Sequence, residues 1–341
     1  MSQPTIVEPS AGVVAPPAGR TDSRPKAIAR QIASEHLIWP ILLLLFIIGF
    51  FVQGFMTSGN LLNLIWGAAP LGCMVLGLYF VMMAGKLDLS LESTFALAPA
   101  VAALAMTKWG FGIGGVGGIV LTLLVGLLVG AFNGAVSVGL NVNPFLVTLA
   151  TLLTLRGLVV YLIPEGIYDL PTSYTALGGN KVAGIPIAVF VLLGLFALAY
   201  VLMRYSVWGR NLTGIGNNEQ ACRVAGINVS ATNVFAFVMA GLCASIGGLL
   251  EAGRLFSVDA SMGNGEILIV FAATTLGGTA LAGGRGRVTG LLGAILVIGG
   301  ITNLMNLVGV GASSQQIIFG AILLVAILLS SLQDRLRGAR V

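Results

Sequence analysis

Residues 62–84 read LNLIWGAAPLGCMVLGLYFVMMA and contain no charged side chain over 23 positions. A helix of about 20 apolar residues is long enough to cross the hydrocarbon core of a membrane. Nine further apolar runs of comparable length lie at residues 38–55, 90–107, 113–137, 145–162, 186–203, 231–252, 267–282, 288–308 and 314–332. The pattern predicts an all-α polytopic membrane protein with about ten transmembrane helices.

The amino-acid composition supports the same class. Hydrophobic residues make up 57% of the 341 residues and charged residues only 9%, whereas soluble domains carry about 25% charged residues. A soluble protein of this length would be short of polar surface, which excludes a soluble enzyme, a disordered chain and a disulfide scaffold. The 48 glycines indicate close helix packing and interrupted helices.

The basic residues predict the orientation of the spans. If the spans alternate, 13 of the 17 basic residues fall on one side of the membrane. Three fall on the other side, namely Lys108, Lys181 and Arg254, and Arg156 lies within a span. An excess of Lys and Arg marks the cytoplasmic side, so both termini are predicted to be cytoplasmic. Eight spans would divide the basic residues between the two sides in the same way, so a count of eight spans remains an alternative.

The domain organisation follows from these spans. Residues 1–37 are polar and rich in proline and form a predicted disordered cytoplasmic tail. Residues 38–332 form the membrane domain, with a cytoplasmic loop at 204–230, and residues 333–341 form a second cytoplasmic tail. Spans 2–5 and 7–10 are offset by five, so corresponding spans point in opposite directions. This arrangement predicts the inverted repeat that many transporters share.

Several function classes lack the motifs they need. No G-x-x-x-x-G-K-[ST] segment occurs, so this chain is not predicted to bind a nucleotide itself. No cluster of carboxylates is expected in the middle of the spans, which disfavours an ion-coupled secondary transporter. The single histidine, His36, cannot build a metal site alone. The chain is therefore predicted not to be an enzyme.

The loop at residues 204–230 carries the signals of a short helix. Asn217 or Asn218 suits the N-cap, Glu219 the first turn, and Gly226 the position after the C-terminus. On these residues alone, the helix is either an ordinary connector or a docking element for a partner that drives transport. If it docks a partner, Glu219→Pro or Gly226→Val is expected to abolish uptake while leaving membrane insertion intact.

Three segments resemble one family. Residues 216–229, GNNEQACRVAGINV, are similar to the cytoplasmic loop of ABC importer permeases of the ribose/xylose/arabinose type. Residues 84–90, AGKLDLS, resemble that family's Gly-Gly-Ile-Asp-Leu-Ser signature. Residues 276–286, LGGTALAGGRG, resemble its Gly-Gly-Thr-Ser-Leu-x-Gly-Gly-Arg-Gly signature. The resemblance runs from about residue 40 to residue 332.

The resemblance implies a vitamin B12 permease-like (type II) importer fold in the bacterial inner membrane. It implies pairing with a second permease copy or a paralogue, cytosolic ABC ATPase subunits that bind ATP and Mg²⁺, and a periplasmic sugar-binding protein. Neither a cofactor of this chain nor a nucleic acid partner is expected. The residues implied to contact the ATPase are Asn217, Asn218, Glu219, Ala221, Arg223, Gly226, Ile227 and Asn228. The signature positions are Gly85, Asp88, Leu89, Ser90, Gly277, Gly278, Gly283, Gly284, Arg285 and Gly286.

Polar residues within the spans are candidates for the cargo pathway, and they are Asn133, Arg156, Asn303 and Asn306. Each has an alternative role. The five donors of Arg156 suit helix-end carbonyls as well as sugar hydroxyls. Asn133 lies beside a stripe of glycines at positions 126, 130 and 134, which favours helix contact. Asp88 can cap the helix that it precedes or contact the cargo.

Three residues depart from the family pattern. Lys86 stands where the family has Gly, Glu92 where a small residue follows Asp-Leu-Ser, and Ile269 at an expected acidic position. Lys86 and Glu92 could compensate each other, although a separation of six residues is not an ideal helical pairing.

We therefore predict the membrane subunit of an ABC importer for a monosaccharide or related polyol. One alternative is an ABC permease for another cargo, such as a branched-chain amino acid or a sugar-like signal. The alternative from another class is an ion-coupled secondary transporter.

Overall fold

The computed structural model describes residues 38–338. In chain order its elements are α1 (Ile38–Phe50), α2 (Ser58–Met83), α3 (Leu91–Thr107), α4 (Gly115–Gly139), α5 (Pro144–Leu162), α6 (Thr172–Gly179), β1 (Lys181–Val182), β2 (Ile185–Pro186), α7 (Ile187–Tyr205), α8 (Val207–Asn217), α9 (Glu219–Val224), α10 (Val229–Leu255), α11 (Glu266–Leu276), α12 (Val288–Leu307) and α13 (Ala312–Gly338). The predicted tail at 1–37 and residues 339–341 lie outside the described residues. Helix α13 continues past residue 332, where the last span was predicted to end.

The helices confirm an all-α polytopic membrane protein. Six of them, α2, α4, α5, α7, α10 and α12, are long and apolar enough to cross a membrane. The shorter apolar helices are α1, α3, α11 and the segment Ser313–Val325 of α13. Helices α4, α5 and α7 expose large apolar side chains such as Leu128, Leu153 and Phe190, which suits faces that lipid covers.

Helices α2 and α10 form the centre of the bundle and run antiparallel. Gly77 of α2 lies against the carbonyl of Ala240, and Gly247 of α10 lies against the carbonyl of Pro70. Both helices bury residues around most of their circumference, as expected of an apolar helix enclosed by protein. Small residues at the crossing allow the two backbones to approach closely.

The glycine stripe of α4 forms the contact with α10. A Cβ atom on Gly126 would collide with the side chain of Ser245, one on Gly130 with the carbonyl of Phe237, and one on Gly134 with the backbone of Val234. The stripe therefore contributes close helix packing, as its spacing predicted.

Gly130→Leu is expected to push α4 away from α10 and to lower the free energy of unfolding by about 1–3 kcal/mol, the usual penalty of overpacking. The matched control is Gly194→Leu on α7, because a Cβ atom at Gly194 meets no other atom within 4 Å. The measurement is the thermal denaturation midpoint of each purified variant in one detergent. Equal midpoints for the two variants would contradict the assigned contact.

Two predicted spans are too long. The first ends at Phe50 rather than at residue 55, because residues 51–57 form turns. The eighth ends at Leu276 rather than at residue 282. Gly277 closes this helix and Gly278 adopts a φ of +91°, a left-handed conformation that favours glycine and ends helices. Helix α6, the β1–β2 hairpin and helix α8 were not predicted.

Candidate functional site

The loop between α7 and α10 contains the predicted short helix, α9. Asn218 caps it by accepting a hydrogen bond from the amide of Ala221 at 2.9 Å. Gly226 follows the helix with a φ of +79°. Glu219 occupies the first helical position, where proline is tolerated. Proline at position 219 is therefore compatible with this helix, and the loss of uptake in Glu219→Pro stays a prediction.

Helix α9 packs against its neighbours. Cys222 of α9 packs with Ile215 of α8 and Val229 of α10, and Ile227 covers this small core. Asn228 caps α10 by accepting a hydrogen bond from the amide of Ala231 at 2.9 Å. The two loop helices and the start of α10 thus form one packed unit.

Both signature segments meet the end of α8. A Cβ atom on Gly283 would collide with the backbone of Gly85 and approach Gly216, and one on Gly284 would collide with the side chain of Asn217. Asn217 Nδ2 also donates to the carbonyl of Gly284 at 3.2 Å. We call Gly85, Gly216, Gly283 and Gly284 the glycine junction. It joins the 84–90 segment, the 276–286 segment and the loop helices through backbone contacts.

The remaining positions of the second signature shape its turn. Gly277 closes α11, and Gly278 follows with a left-handed φ. The carbonyl of Arg285 accepts a hydrogen bond from the amide of Ala280 at 2.8 Å, and Gly286 lies against Tyr79 of α2. The signature therefore folds as a compact turn between α11 and α12.

Ion pairs connect the first signature to the loop. Lys86 Nζ lies 3.2 Å from Glu219 Oε2, and Arg223 Nη2 lies 2.6 Å from Glu219 Oε1. Burial raises the pKa of Glu219, but the hydrogen bonds and positive charges of Arg223 and Lys86 outweigh burial and hold the pKa below its usual value. Lys86 therefore pairs with Glu219 and not with Glu92, so the expected Lys86–Glu92 compensation was wrong.

Asp88 and Ser90 belong to a buried polar network. Asp88 Oδ1 accepts hydrogen bonds from the Ser90 amide at 2.9 Å and from Ser90 Oγ at 2.6 Å. Asn133 Nδ2 donates to Ser90 Oγ, and Thr151 Oγ1 donates to Asn133 Oδ1, each at 2.7 Å. Leu89 packs partly buried against the apolar core. Asp88 thus closes the turn before α3, whereas Ser90 occupies the N-cap position itself.

The same turn occurs a second time, before α11. Asp259 Oδ1 accepts hydrogen bonds from the Ser261 amide at 2.7 Å and from Ser261 Oγ at 2.5 Å. The hydrogen bonds from the side chain and the amide of Ser261 hold the pKa of Asp259 below its usual range. Each Asp-x-Ser turn follows a central helix, α2 or α10, and precedes a short one, α3 or α11.

Arg156 of α5 forms a buried ion pair. Its Nη2 atom lies 3.1 Å from Glu92 Oε1, and its Nη1 atom donates to the carbonyls of Ala260 and Met262, each at 3.0 Å. Glu92 Oε2 accepts a hydrogen bond from the amide of Ile267 at 3.2 Å. The pair links α3 and α5 of the first half to the start of α11 in the second. Arg156 bonds carbonyls and a carboxylate here.

Helices α3 and α11 begin at the same place inside the bundle. Phe95 of α3 packs against Gly263, just before α11, and against Gly248 in the last third of α10. Each short helix carries a glutamate in its first turn, Glu92 in α3 and Glu266 in α11, where the helix dipole favours negative charge. Helices that start inside a bundle are typical of transporters.

A polar cavity of about 460 Å³ lies beside the C-terminal end of α10, away from the loop helices that precede α10. It is lined by Glu251, Arg254, Glu266 and amide side chains that include two predicted pathway residues, Asn303 and Asn306. Arg254 donates to both carboxylate oxygens of Glu251, at 2.6 and 2.9 Å. None of these three charged residues was predicted to line the cargo pathway.

No cluster of carboxylates was expected in the middle of the spans, and the structure brings three glutamates together near helix ends, at the C-terminal end of α10 and the starts of α3 and α11. Glu266 interacts electrostatically with Glu251, Glu92, Arg254 and Arg156. Each glutamate stands near the end of a helix in the sequence, a position typical of surface charges. The charges converge because α3 and α11 start inside the bundle and α10 ends beside them. Within residues 38–338, no group of side chains suited to a metal ion occurs.

Known proteins match most of the chain. A family model described as "Branched-chain amino acid transport system / permease component" matches residues 60–327. The ribose import permease protein RbsC of Bacillus subtilis (strain 168) is 34% identical, covering 88% of this chain and 92% of that protein. The L-arabinose transport system permease protein AraH of Escherichia coli (strain K12) is 33% identical, covering 82% and 84%. No solved structure gives a significant match.

Proposed function

Because the chain belongs to the family of branched-chain amino acid transport system permease components, we propose that it is the membrane subunit of an ABC importer for a monosaccharide or related polyol. The observation that carries this proposal is the similarity to ribose and arabinose permeases, which extends over 82–88% of the chain. The cargo crosses the membrane chemically unchanged.

Ten membrane helices with an inverted repeat form the transport body in this proposal. The helices suited to this role are α1–α5, α7 and α10–α13. The repeated Asp-x-Ser turns support the repeat, because each stands between a central helix and the short helix that follows it. The short helices that start inside the bundle support a type II importer architecture. In this proposal the protein lies in a bacterial inner membrane, and both of its termini are in the cytoplasm.

The packed unit of α8 and α9 is the docking surface for a cytosolic ATPase that binds ATP and Mg²⁺. Its packing and its helix caps support this role, since an unpacked loop would absorb a movement instead of transmitting it. The glycine junction and the Lys86–Glu219 pair connect the unit to both signature segments. A movement of α9 would therefore reach α2, α3, α11 and α12 together.

Reconstitution tests the proposal. The permease, the ATPase subunit and the sugar-binding protein of the same system are placed in proteoliposomes, and the uptake of labelled D-ribose, L-arabinose and L-leucine is measured with and without ATP. ATP-dependent uptake of a sugar is the expected result. Uptake of leucine alone would assign the alternative cargo class, and sugar uptake by this chain without an ATPase, driven by an ion gradient, would overturn the ABC mechanism.

The Lys86–Glu219 pair gives a graded prediction for the same assay. Lys86→Glu places two carboxylates together and is expected to lower uptake about fivefold, corresponding to a loss of about 1 kcal/mol. Lys86→Gly only removes a partly exposed pair, so its uptake is expected to fall less than about twofold. Lys108→Glu controls for the added charge, since Lys108 lies at the other end of α3. Equal uptake by both Lys86 variants would contradict the pairing.

A further inference from the structure

The polar cavity lies within a single chain, between α2, α3, α10, α11, α12 and the start of α13. Its volume of about 460 Å³ falls in the range of small-molecule sites, about 300–1,000 Å³. Apolar walls from Phe95 and Phe319 face the polar side chains. A second cavity, between α4 and α5, is lined by apolar residues and threonines only and offers no charged group to a polar cargo.

Most polar groups around the first cavity bond each other. Asn60 and Asn303 exchange two hydrogen bonds, at 2.8 and 2.9 Å, and Gln315 Nε2 donates to Asn306 Oδ1 at 2.8 Å. In the described part of the chain, the carboxylate of Glu266 and the amide of Asn63 make no hydrogen bond, and neither does Asn306 Nδ2. The cavity therefore offers one carboxylate acceptor and free amide groups.

The charges around Glu266 leave its carboxylate uncompensated. Glu251 and Arg254 neutralise each other, and so do Glu92 and Arg156 behind the wall. A carboxylate in such a setting accepts hydrogen bonds strongly from hydroxyl or ammonium donors and repels anions. Glu266 is half-buried, so both effects are larger than for a carboxylate in bulk water.

We propose that this cavity is a transit site, present in each single chain, for a polyhydroxylated cargo without negative charge. Hydroxyl groups of the cargo donate to Glu266, while Asn306 Nδ2 and the amide of Asn63 bond the hydroxyl oxygens. Anionic sugar derivatives are rejected by the same carboxylate. The class of cargo assigned to this cavity rests on the proposed function. The negative charge of the cavity does not depend on that function.

A chemical probe tests the charge without a known cargo. Thr302→Cys places a thiol on the cavity wall, and the described native cysteines are all buried. In the purified permease–ATPase complex at pH 8, a cationic methanethiosulfonate reagent is expected to react about tenfold faster than an anionic one. Adding Glu266→Gln should bring the ratio of the cationic to the anionic reaction rate close to one.

The control is Val308→Cys, which is exposed and not part of the cavity lining. The ratio of the two reaction rates at this position should not change when Glu266→Gln is added. An unchanged ratio in Thr302→Cys/Glu266→Gln would overturn the charge assignment.

Transport tests the site itself. In proteoliposomes, Glu266→Gln is expected to lower import of whichever sugar the native complex carries by about tenfold, the effect of losing one charge-assisted hydrogen bond. ATP hydrolysis stimulated by the loaded binding protein should persist, which a folding defect would not allow. Native import rates in Glu266→Gln would refute the transit site while the proposed function stands. No sugar import by the native complex would instead refute the proposed function.

Discussion

Arg156→Met is expected to destabilise the folded permease by about 3–5 kcal/mol, because it leaves a buried carboxylate without its partner. The Glu92 side chain is only 7% exposed and lies 3.1 Å from Arg156. The carbonyls of Ala260 and Met262 lose a charged donor in the same step. Thermal denaturation of the purified variant in detergent, compared with the native chain, measures the effect.

The double variant Glu92→Gln/Arg156→Met separates charge from packing. Replacing both members of a buried pair often leaves stability nearly unchanged, whereas removing one member is costly. Glutamine also retains an oxygen that can accept the Ile267 amide. The double variant is therefore expected to recover most of the lost stability. If it is as unstable as Arg156→Met, an unpaired carboxylate is not the cause.

The partner of Glu92 illustrates what sequence reasoning missed and why. Glu92 and Lys86 are close along the chain, so mutual compensation was the local explanation. In the structure Glu92 pairs with Arg156 and Lys86 with Glu219. Both partners are more than 60 residues away along the chain. Helix packing brings them into contact, and a local sequence pattern cannot predict such a contact. The chain offered one signal, an arginine inside a span, because such a residue needs a partner or water.

Local signals did predict the loop helix α9. Asn218, Glu219 and Gly226 are cap and turn residues, and their preferences depend on neighbouring backbone groups alone. Helix α8 was not predicted because its local sequence disfavours a helix. It contains Gly209, Gly214 and Gly216, each of which weakens an isolated helix by about 1 kcal/mol relative to alanine. Packing overrides that preference, since Gly216 allows the close approach of the second signature.

Gly283→Ala is expected to reduce ATP-driven uptake at least about tenfold, because a methyl group that costs 1–3 kcal/mol by overpacking would force the glycine junction apart. A Cβ atom at Gly283 would lie 2.5 Å from the amide nitrogen of Gly85, and neither backbone has a flexible side chain that could yield. ATP hydrolysis by the reconstituted complex should continue, since the substitution lies in the membrane subunit. The measurement is uptake per ATP hydrolysed.

Gly278→Ala is the matched control, because it isolates backbone strain from the contact. Gly278 has a φ of +91° and Gly283 a φ of +88°, so alanine carries a similar conformational penalty of about 1–2 kcal/mol at each position. A side chain at Gly278, however, meets nothing within 4 Å. Gly278→Ala is therefore expected to keep most of its uptake per ATP. Equal losses of uptake per ATP in both variants would assign the effect to backbone strain in the signature turn. A loss in Gly283→Ala alone would show that the glycine junction transmits movement between the loop helices and the bundle.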